Sequence, residues 1–271
     1  MQRISAKAAI LMTACTICAS CRHELTLMTY NVGVFEKSGT NSISQVASII
    51  KEVQSDIVSM NELDSCNLRH STFQLEEIAC KAGGLDFHFA QAFPFAEGAY
   101  GNGIISKSPI TARHIIALPV GNGAEPRSVA VVETEDCVFA SAHLDHIGEE
   151  ARIEQAKAIN EWFTEKYSGS RKPVILCGDM NDTPESATIQ TLSEKWERLS
   201  GTSPTHPADL PYICIDYIFA LKSARNVKVT CMPLPVPDGS KGQDSLSISP
   251  EAFEALSTAS DHLPVCLTIR F

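Results

Sequence analysis

Five short polar clusters flank strand-like apolar runs, and their placement restricts the fold more than any other feature of the sequence. Each cluster joins carboxylates, amides or imidazoles to a run with the length and alternation of a buried strand. Side chains at the ends of neighbouring strands meet at one edge of a sheet. The pattern therefore predicts a β-rich chain with one polar site built from distant segments. The clusters are residues 29–33, 61–64, 141–146, 178–182 and 260–262.

Helical periodicity alternates with the strand-like runs, as a sheet covered by helices requires. In the longest helical stretch, Ile153, Ala156 and Phe163 share the inward face, whereas Arg152 is expected to point outward. Helices are predicted at 44–53, 73–81, 149–167 and 184–195. Strands are predicted at 25–32, 57–60, 87–90, 103–106, 128–134, 137–144, 174–177, 214–219, 227–231 and 265–269, with a hairpin turn at 135–136.

Composition favours a single globular domain with little affinity for polyanions. The 271 residues contain no Gly-, Ser- or Pro-rich internal linker, and 44% of them are hydrophobic. The 22 Lys and Arg against 32 Asp and Glu give a formal charge of -10, which repels a polyanion unless cations concentrate at one site. Residues 33–42, 93–100 and 233–250 are predicted to be loops that shape substrate access.

The N-terminus has the pattern of an export signal. Arg3 and Lys7 precede an uncharged stretch, 8–20, that is too short to span a bilayer. The stretch ends in Cys18-Ala19-Ser20-Cys21, which resembles a bacterial lipobox and predicts that Cys21 carries a membrane-anchoring lipid. Residues 1–20 are thus a predicted lipoprotein signal peptide. Cys15 as the lipidated residue, a cleaved soluble signal and a cytoplasmic protein are the alternatives.

The cysteines beyond this segment are expected to be mostly buried thiols, because they lie in apolar runs without C-x-x-C spacing. Cys66 and Cys80 flank a polar segment and are the pair to test for a disulfide.

Seven motifs in order resemble the endonuclease/exonuclease/phosphatase superfamily, which includes deoxyribonuclease I, abasic-site endonucleases, sphingomyelinases and inositol polyphosphate 5-phosphatases. They are T-Y-N-V-G, M-N-E-L-D, G-N-G-I-I-S-K, A-H-L-D-H, G-D-M-N-D, I-D-Y-I-F and S-D-H. The resemblance implies that residues 21–271 form a catalytic domain of α+β class. The fold would be a four-layer α/β/β/α sandwich, with two mainly antiparallel or mixed sheets packed face to face under outer helices. Asn61 stands where the family usually has Gln, which is expected to change only hydrogen bonding around the metal-binding Glu.

The resemblance also implies a divalent metal site. Hydrolysis of a phosphoester needs a hard cation and positioned hydrogen-bond donors, because negative charge grows on the phosphoryl oxygens. Glu62, Asn31 and Asp261 are the implied metal residues. Oxygen ligands suit Mg²⁺; Mn²⁺ can substitute for it, and Ca²⁺ stays open.

Acid, base and phosphate-binding roles follow from the same resemblance. Asp179 orients or deprotonates the attacking water, Asn181 holds a phosphate oxygen, and Asp216 orients His262. His262 is implied as a general base or a phosphate donor, and His143 as the donor on the opposite side of the phosphate and a general acid for the leaving oxygen. Which histidine gives a proton and which accepts one stays open.

Several residues have a structural interpretation beside the functional one. Asp182 or Thr183 is expected to cap a helix. Asn102, in Gly101-Asn102-Gly103, and Arg127, at a strand start, are weaker candidates for phosphate contacts.

The predicted activity is exported, Mg²⁺-dependent hydrolysis of a small-molecule or lipid-head-group phosphoester by a monomer. A secreted nuclease acting on DNA or RNA is the main alternative, because an extracellular nuclease can be acidic. A binding protein that kept the fold and lost catalysis is a further alternative, although every expected site residue type is present.

Overall fold

The computed structural model describes residues 23–36, 39–231 and 248–271. The predicted signal segment, the lipidation candidates Cys15 and Cys21, and most of the predicted loop 233–250 lie outside them. No helix within the described residues is long and apolar enough to cross a membrane.

Two six-stranded sheets form the centre of the molecule, in the orders β11-β12-β1-β2-β4-β3 and β5-β6-β7-β8-β10-β9. The strands are β1 (Glu24–Asn31), β2 (Ile57–Ser65), β3 (Asp86–Phe95), β4 (Gly98–Ser106), β5 (Ala112–Ala117), β6 (Ser128–Glu133), β7 (Val138–His143), β8 (Val174–Asp179), β9 (Trp196–Arg198), β10 (Asp216–Leu221), β11 (Lys228–Cys231) and β12 (Val265–Arg270). The helices are α1 (Ile43–Val53), α2 (Gln74–Lys81), α3 (Glu149–Tyr167), α4 (Ala187–Ser193) and α5 (Pro250–Ala255), with a 3₁₀ turn at Gly33–Phe35.

Three apolar cores hold four layers together. Leu27 and Ile104 of the first sheet and Phe139 and Ile175 of the second belong to the core between the sheets. Helices α1, α2 and α5 cover the outer face of the first sheet, and α3 and α4 cover that of the second. This α/β/β/α sandwich of two mixed sheets confirms the predicted fold class.

Strand register brings the polar clusters together. Asn31 of β1 lies opposite Asn61 of β2 in a parallel pair, and His143 of β7 lies opposite Asp179 of β8 in another. Asp216 of β10 faces Asp179 from the antiparallel side. These ends of both sheets meet at one edge, where the sequence pattern predicted the site.

Gly178 permits the close approach of β7 and β8 beside the site. Its φ is +138°, and a Cβ there would lie 1.8 Å from the carbonyl oxygen of Ala142.

We expect Gly178→Ala to lower the free energy of unfolding by about 3 kcal/mol or more, because backbone strain and a backbone clash add. Urea unfolding against Gly169→Ala is the measurement. Gly169 also has a positive φ, +77°, but its added Cβ meets nothing within 4 Å, so a similar loss in both variants would contradict the role of the clash.

Some elements differ from the sequence prediction. Strands β5 and β9, helix α5 and the 3₁₀ turn were not predicted. Residues 93–100 are not a loop: β3 and β4 continue to a tight turn at Ala96 and Glu97, both at positive φ. Aromatic contacts of Phe93 and Phe95 with Tyr100 accompany this hairpin.

Two predictions about helix residues are wrong. Helix α4 begins later than predicted, and its cap is Ser186, whose hydroxyl accepts from the Ile189 N–H, so neither Asp182 nor Thr183 caps it. Arg152 is buried rather than outward, because its Nε pairs with Asp182 Oδ2 at 3.0 Å.

The cysteines that the structure describes form no disulfide with one another. Cys66 and Cys80, the candidate disulfide pair, are both exposed and unbridged, which contradicts that pairing. Burial of Cys137, Cys177 and Cys266 agrees with the prediction of apolar thiols.

Candidate active site

Asp179 lies at the centre of the polar cluster. Its Oδ2 accepts a hydrogen bond from Asn31 Nδ2 at 3.0 Å and lies 3.7 Å from the Nε2 atoms of both His143 and His262. All four side chains are buried. Two imidazoles therefore flank one carboxylate, with an amide donor beside them.

A β-bulge directs Glu62 toward this centre. The pairing of β2 with β4 shifts between Met60 and Leu63, and Glu62 has a φ of 58°. Bulges and positive φ at a non-glycine residue concentrate where a side chain must be re-aimed. Glu62 Oε1 accepts from Asn31 Nδ2 at 3.1 Å, which places its half-buried carboxylate beside the Asp179 group.

Asn61 links the two sheets beneath the site. Its Nδ2 donates to Ala142 O at 2.9 Å and to Asn102 Oδ1 at 3.1 Å, and its Oδ1 accepts from the Asp179 N–H at 3.1 Å. Asn61, which stands where the family usually has Gln, is therefore buried and positions the backbone of Asp179.

Asn102 belongs to the same linkage. It lies inside β4 rather than in a turn, and its Nδ2 donates to Ser128 O at 2.8 Å. Both ends of its amide bind protein groups, which favours a structural role over phosphate contact.

His262 is held by a buried carboxylate. Asp216 Oδ2 accepts from His262 Nδ1 at 2.9 Å and from the Thr205 hydroxyl at 2.6 Å. Because Nδ1 is tied to Asp216, Nε2 faces Asp179 and Asn31. The arrangement is that of an imidazole oriented by a carboxylate.

Burial and neighbouring charge shift both central groups. Desolvation raises the pKa of Asp179 above the usual range of a carboxyl, and the Asp216 carboxylate raises it further. Desolvation lowers the pKa of His262, but Asp216 outweighs it and raises that pKa to about 10. The site thus combines a carboxylate that takes up protons readily with an imidazole that retains one.

Asn181 and Arg127 lie near this centre in different settings. Asn181 has a φ of 51°, its N–H donates to Asp179 Oδ1 at 2.8 Å, and its Nδ2 donates to Leu144 O at 3.0 Å. Arg127 is buried, and its guanidinium contacts His143, His146 and Glu125.

Oxygen and nitrogen donors suited to a divalent metal converge here. Among the described residues, two groups place their ligand atoms within 4.8 Å of one another: His206 with Asp261 and His262, and Asp179 with Asp216 and His262. Asp261 is half-buried, and the Glu62 carboxylate lies beside Asn31. The first group offers two imidazoles and one carboxylate, the second offers two carboxylates and one imidazole, and neither includes Glu62. The carboxylates of Asp261 and Glu62 are the donors of the kind that a hard cation such as Mg²⁺ or Mn²⁺ prefers.

Two residues of the site have no motif in the sequence. His206 was interpreted as a surface or satisfied histidine, yet its ring lies 4.6 Å from that of His262. The segment around it pairs with the last cluster, since Ala208 N donates to Asp261 O and Leu263 N donates to Thr205 O. This long-range pairing, together with the bridge from His206 to Ile213 just before β10, brings Thr205 and His206 to the site.

Comparison with known proteins gives a family and a fold. Residues 28–262 match the model described as Endonuclease/Exonuclease/phosphatase family. The chain is 27% identical over 211 residues to the uncharacterized protein YbhP of Escherichia coli (strain K12), covering 71% of this chain and 81% of YbhP.

Two solved structures share the fold over most of the chain. An endonuclease/exonuclease/phosphatase from Beutenbergia cavernae DSM 12333 has a TM-score of 0.71 at 20% identity, covering 92% of this chain and 72% of that one. A mannosyl-6-phosphatase of Bacteroides thetaiotaomicron VPI-5482 has a TM-score of 0.68 at 22% identity, covering 91% and 100%.

Proposed function

Because this chain belongs to the endonuclease/exonuclease/phosphatase family, whose members hydrolyse phosphoesters, we propose that it is an exported, Mg²⁺-dependent hydrolase of a small-molecule or lipid-head-group phosphoester. The observation that carries the proposal is the placement of Asp179 between His143 and His262, with Asn31 and Glu62 alongside. This arrangement can hold a phosphoryl group on one side and a water on the other.

The proposed step is attack of one water in line with the leaving oxygen. Asp179 orients that water and accepts its proton while the new oxygen–phosphorus bond forms and the bond to the leaving oxygen breaks. His143 and His262 donate hydrogen bonds from opposite sides, and Asp216 fixes the ring of His262. The raised pKa of Asp179 suits a group that must take up a proton.

Glu62, Asn31 and Asp261 would hold the metal. A divalent ion supplies positive charge to the phosphoryl oxygens and lowers the pKa of a bound water. Glu62 is half-buried, and the β-bulge directs its carboxylate toward the Asp179 group. Both features support Glu62 as the principal ligand.

The charges near the site favour a small substrate over a polynucleotide. Arg69 donates two hydrogen bonds to the buried Asp64, at 2.7 and 2.9 Å, and Arg127 pairs with Glu125 at 3.1 Å. A polyanion requires several cationic contacts, and these arginines are already neutralised. Tyr100, half-buried among Phe93 and Phe95, offers an apolar wall to the body of a compact substrate.

Export follows from the N-terminal pattern and belongs to the proposal, as do membrane attachment through Cys21 and a monomeric state. The similarity to a mannosyl-6-phosphatase adds sugar phosphates to the substrates worth testing.

The test of this function is hydrolysis by the domain from Arg22 onward, with Mg²⁺, on sugar phosphates, phosphoinositides, sphingomyelin, RNA and plasmid DNA. We expect turnover of small-molecule or lipid esters that a chelator abolishes, with Asp179→Ala as the blank. Rapid nicking of DNA would show that the substrate is nucleic acid and not a small-molecule or lipid ester. If none of the esters is hydrolysed, the proposed function is wrong.

Glu62→Gln should weaken Mg²⁺ binding at least ~10-fold, because a neutral amide replaces a negatively charged oxygen ligand. Isothermal titration calorimetry on chelator-treated protein measures the dissociation constant. Glu133→Gln is the matched control, because Glu133 is also half-buried but lies at the opposite end of β6 from Arg127 and Ser128. Equal Mg²⁺ affinity in Glu62→Gln and wild type would remove Glu62 from the metal site.

A further inference from the structure

Arg127 is a buried cation that touches the catalytic cluster through His143. It precedes β6, and only 3% of its surface is exposed. Its Nη1 lies 3.2 Å from His143 Nδ1, and its Nη2 lies 3.1 Å from both His146 Nδ1 and Glu125 Oε1. The guanidinium therefore meets His143 at Nδ1, whereas Asp179 lies near Nε2, the other ring nitrogen.

The chemistry of the guanidinium determines the hydrogen bond to His143. Arginine has five N–H donors and no acceptor, and it keeps its proton at every ordinary pH. His143 Nδ1 must therefore be the acceptor, so it carries no hydrogen. In the neutral ring the hydrogen then lies on Nε2, the atom that faces Asp179.

We propose that Arg127 is a positioning residue that fixes His143 as the neutral tautomer with hydrogen on Nε2, so that His143 presents an N–H donor to the phosphoryl group. The proposal rests on the proposed phosphoester hydrolysis for its catalytic meaning, but the tautomer itself does not depend on the reaction. With Nδ1 accepting from the guanidinium, the place for a hydrogen on His143 is Nε2, which lies 3.7 Å from Asp179 Oδ2.

The two site histidines then differ in the partner of Nδ1. His262 Nδ1 donates a hydrogen bond to the Asp216 carboxylate, whereas His143 Nδ1 accepts a hydrogen bond from Arg127. At Nδ1 one ring therefore meets a carboxylate and the other a guanidinium, whereas both Nε2 atoms lie 3.7 Å from Asp179 Oδ2. This difference separates the two rings, whose order of action the sequence left open: His143 binds the phosphoryl group as a donor that keeps its hydrogen.

The other contacts of Arg127 support a role through His143 rather than direct contact with substrate. Both Nη2 hydrogens are directed at His146 and Glu125, and Nη1 is directed at His143. Its Nε is buried and has no hydrogen-bond partner in the part of the chain that the structure describes. A buried cation with an unpaired N–H donor destabilises the fold. Packing therefore does not explain an arginine at this position, whereas its hydrogen bond to His143 does.

Nitrogen-15 NMR of the histidine rings tests the tautomer directly. Chelator-treated, ¹⁵N-labelled protein from Arg22 onward is measured at neutral pH, and the His143 signals are assigned by their loss in His143→Gln. We expect a hydrogen-bearing Nε2 and a bare Nδ1 in wild type. Hydrogen on Nδ1, or on both nitrogens, would overturn the proposal whatever the enzyme's activity.

Variants at Arg127 test the cause. Arg127→Met removes the donor and should leave His143 as a mixture of tautomers, with kcat reduced ~10- to 100-fold and KM less affected. Arg127→Lys restores one donor and should recover the Nε2–H tautomer and most of kcat. An unchanged tautomer or unchanged kcat in a folded Arg127→Met would overturn the role of Arg127.

Arg152→Met is the matched control, because Arg152 is also a buried, ion-paired arginine but contacts Asp182 and Asp145 instead of a site histidine. It should leave the His143 signals unchanged. The hydrogen-bonded Nδ1–H of His262 reports that each variant is folded. If Arg127→Met does not fold, the wild-type spectrum and Arg127→Lys still decide the proposal.

Discussion

Replacing Asp179 by asparagine is expected to lower kcat/KM for phosphoester hydrolysis by at least ~10³-fold, which corresponds to ~4 kcal/mol of transition-state stabilisation. Asparagine keeps the volume of the side chain, and its oxygen can still accept the hydrogen bond that Asn181 N–H gives to Asp179 Oδ1 at 2.8 Å. Its NH₂ would then replace Oδ2 and lose the hydrogen bond from Asn31 Nδ2. Asparagine cannot take a proton from the attacking water. The loss therefore measures the base function together with the hydrogen bond from Asn31, and not a change of side-chain volume.

The same substitution should leave the fold intact. Asp179 is buried, and desolvation raises its pKa above the value in the unfolded chain. A raised folded-state pKa means that ionisation favours the unfolded chain, so wild-type stability falls as the pH rises from the unfolded toward the folded pKa. Asparagine does not ionise and escapes this loss. The melting temperature of Asp179→Asn relative to wild type, measured in chelator, should rise between pH 4 and pH 8.

Asp182→Asn is the control for Asp179→Asn. Asp182 lies three residues further along the chain and pairs with Arg152 away from the two histidines. We expect its kcat/KM to stay within about threefold of wild type. Asp179→Asn with a tenth or more of wild-type activity would contradict the assignment of Asp179 as the base.

The positions of the site residues were predictable from the sequence because they follow regular strands. Asn31, Glu62, His143 and Asp179 each stand at or beside the end of an apolar run, and parallel pairing of β1 with β2 and of β7 with β8 places them at one edge. The alternation of each run is a local signal. The family resemblance, and not the runs themselves, predicted that two sheets pack face to face in a sandwich.

Other features depend on contacts that no local pattern encodes. Strand β9 is only three residues long and exists because Trp196 and Arg198 pair with β10. Arg152 has a place on the polar face of α3 by sequence, but Asp182 and the Asp145 carbonyl draw it inward. The predicted hairpin of 128–134 with 137–144 already places Arg127 near His143, but the hydrogen bond between the two side chains is known only from the structure.

Asp216→Asn should lower kcat by about 10²- to 10⁴-fold. Asp216 is buried, and its Oδ2 accepts from both Thr205 and His262 Nδ1. An amide can present its NH₂ to the ring, which forces Nδ1 to accept and moves the hydrogen of neutral His262 to Nε2. A serine-protease triad whose aspartate is changed in this way loses about 10⁴-fold in kcat through the wrong tautomer, which sets the upper bound.

The pH dependence of stability separates this effect from simple misfolding. Asp216 raises the pKa of His262 to about 10, against a usual value of 6.5, so the pair stabilises the fold fully below pH 6.5 and less as the pH rises through 10. Urea unfolding in chelator should therefore show the largest deficit of Asp216→Asn near pH 6 and a smaller one near pH 10. Asp86→Asn, which removes a partly exposed partner of Arg113, should keep wild-type kcat. A pH-independent deficit with full activity would mean that Asp216 neither charges nor orients His262.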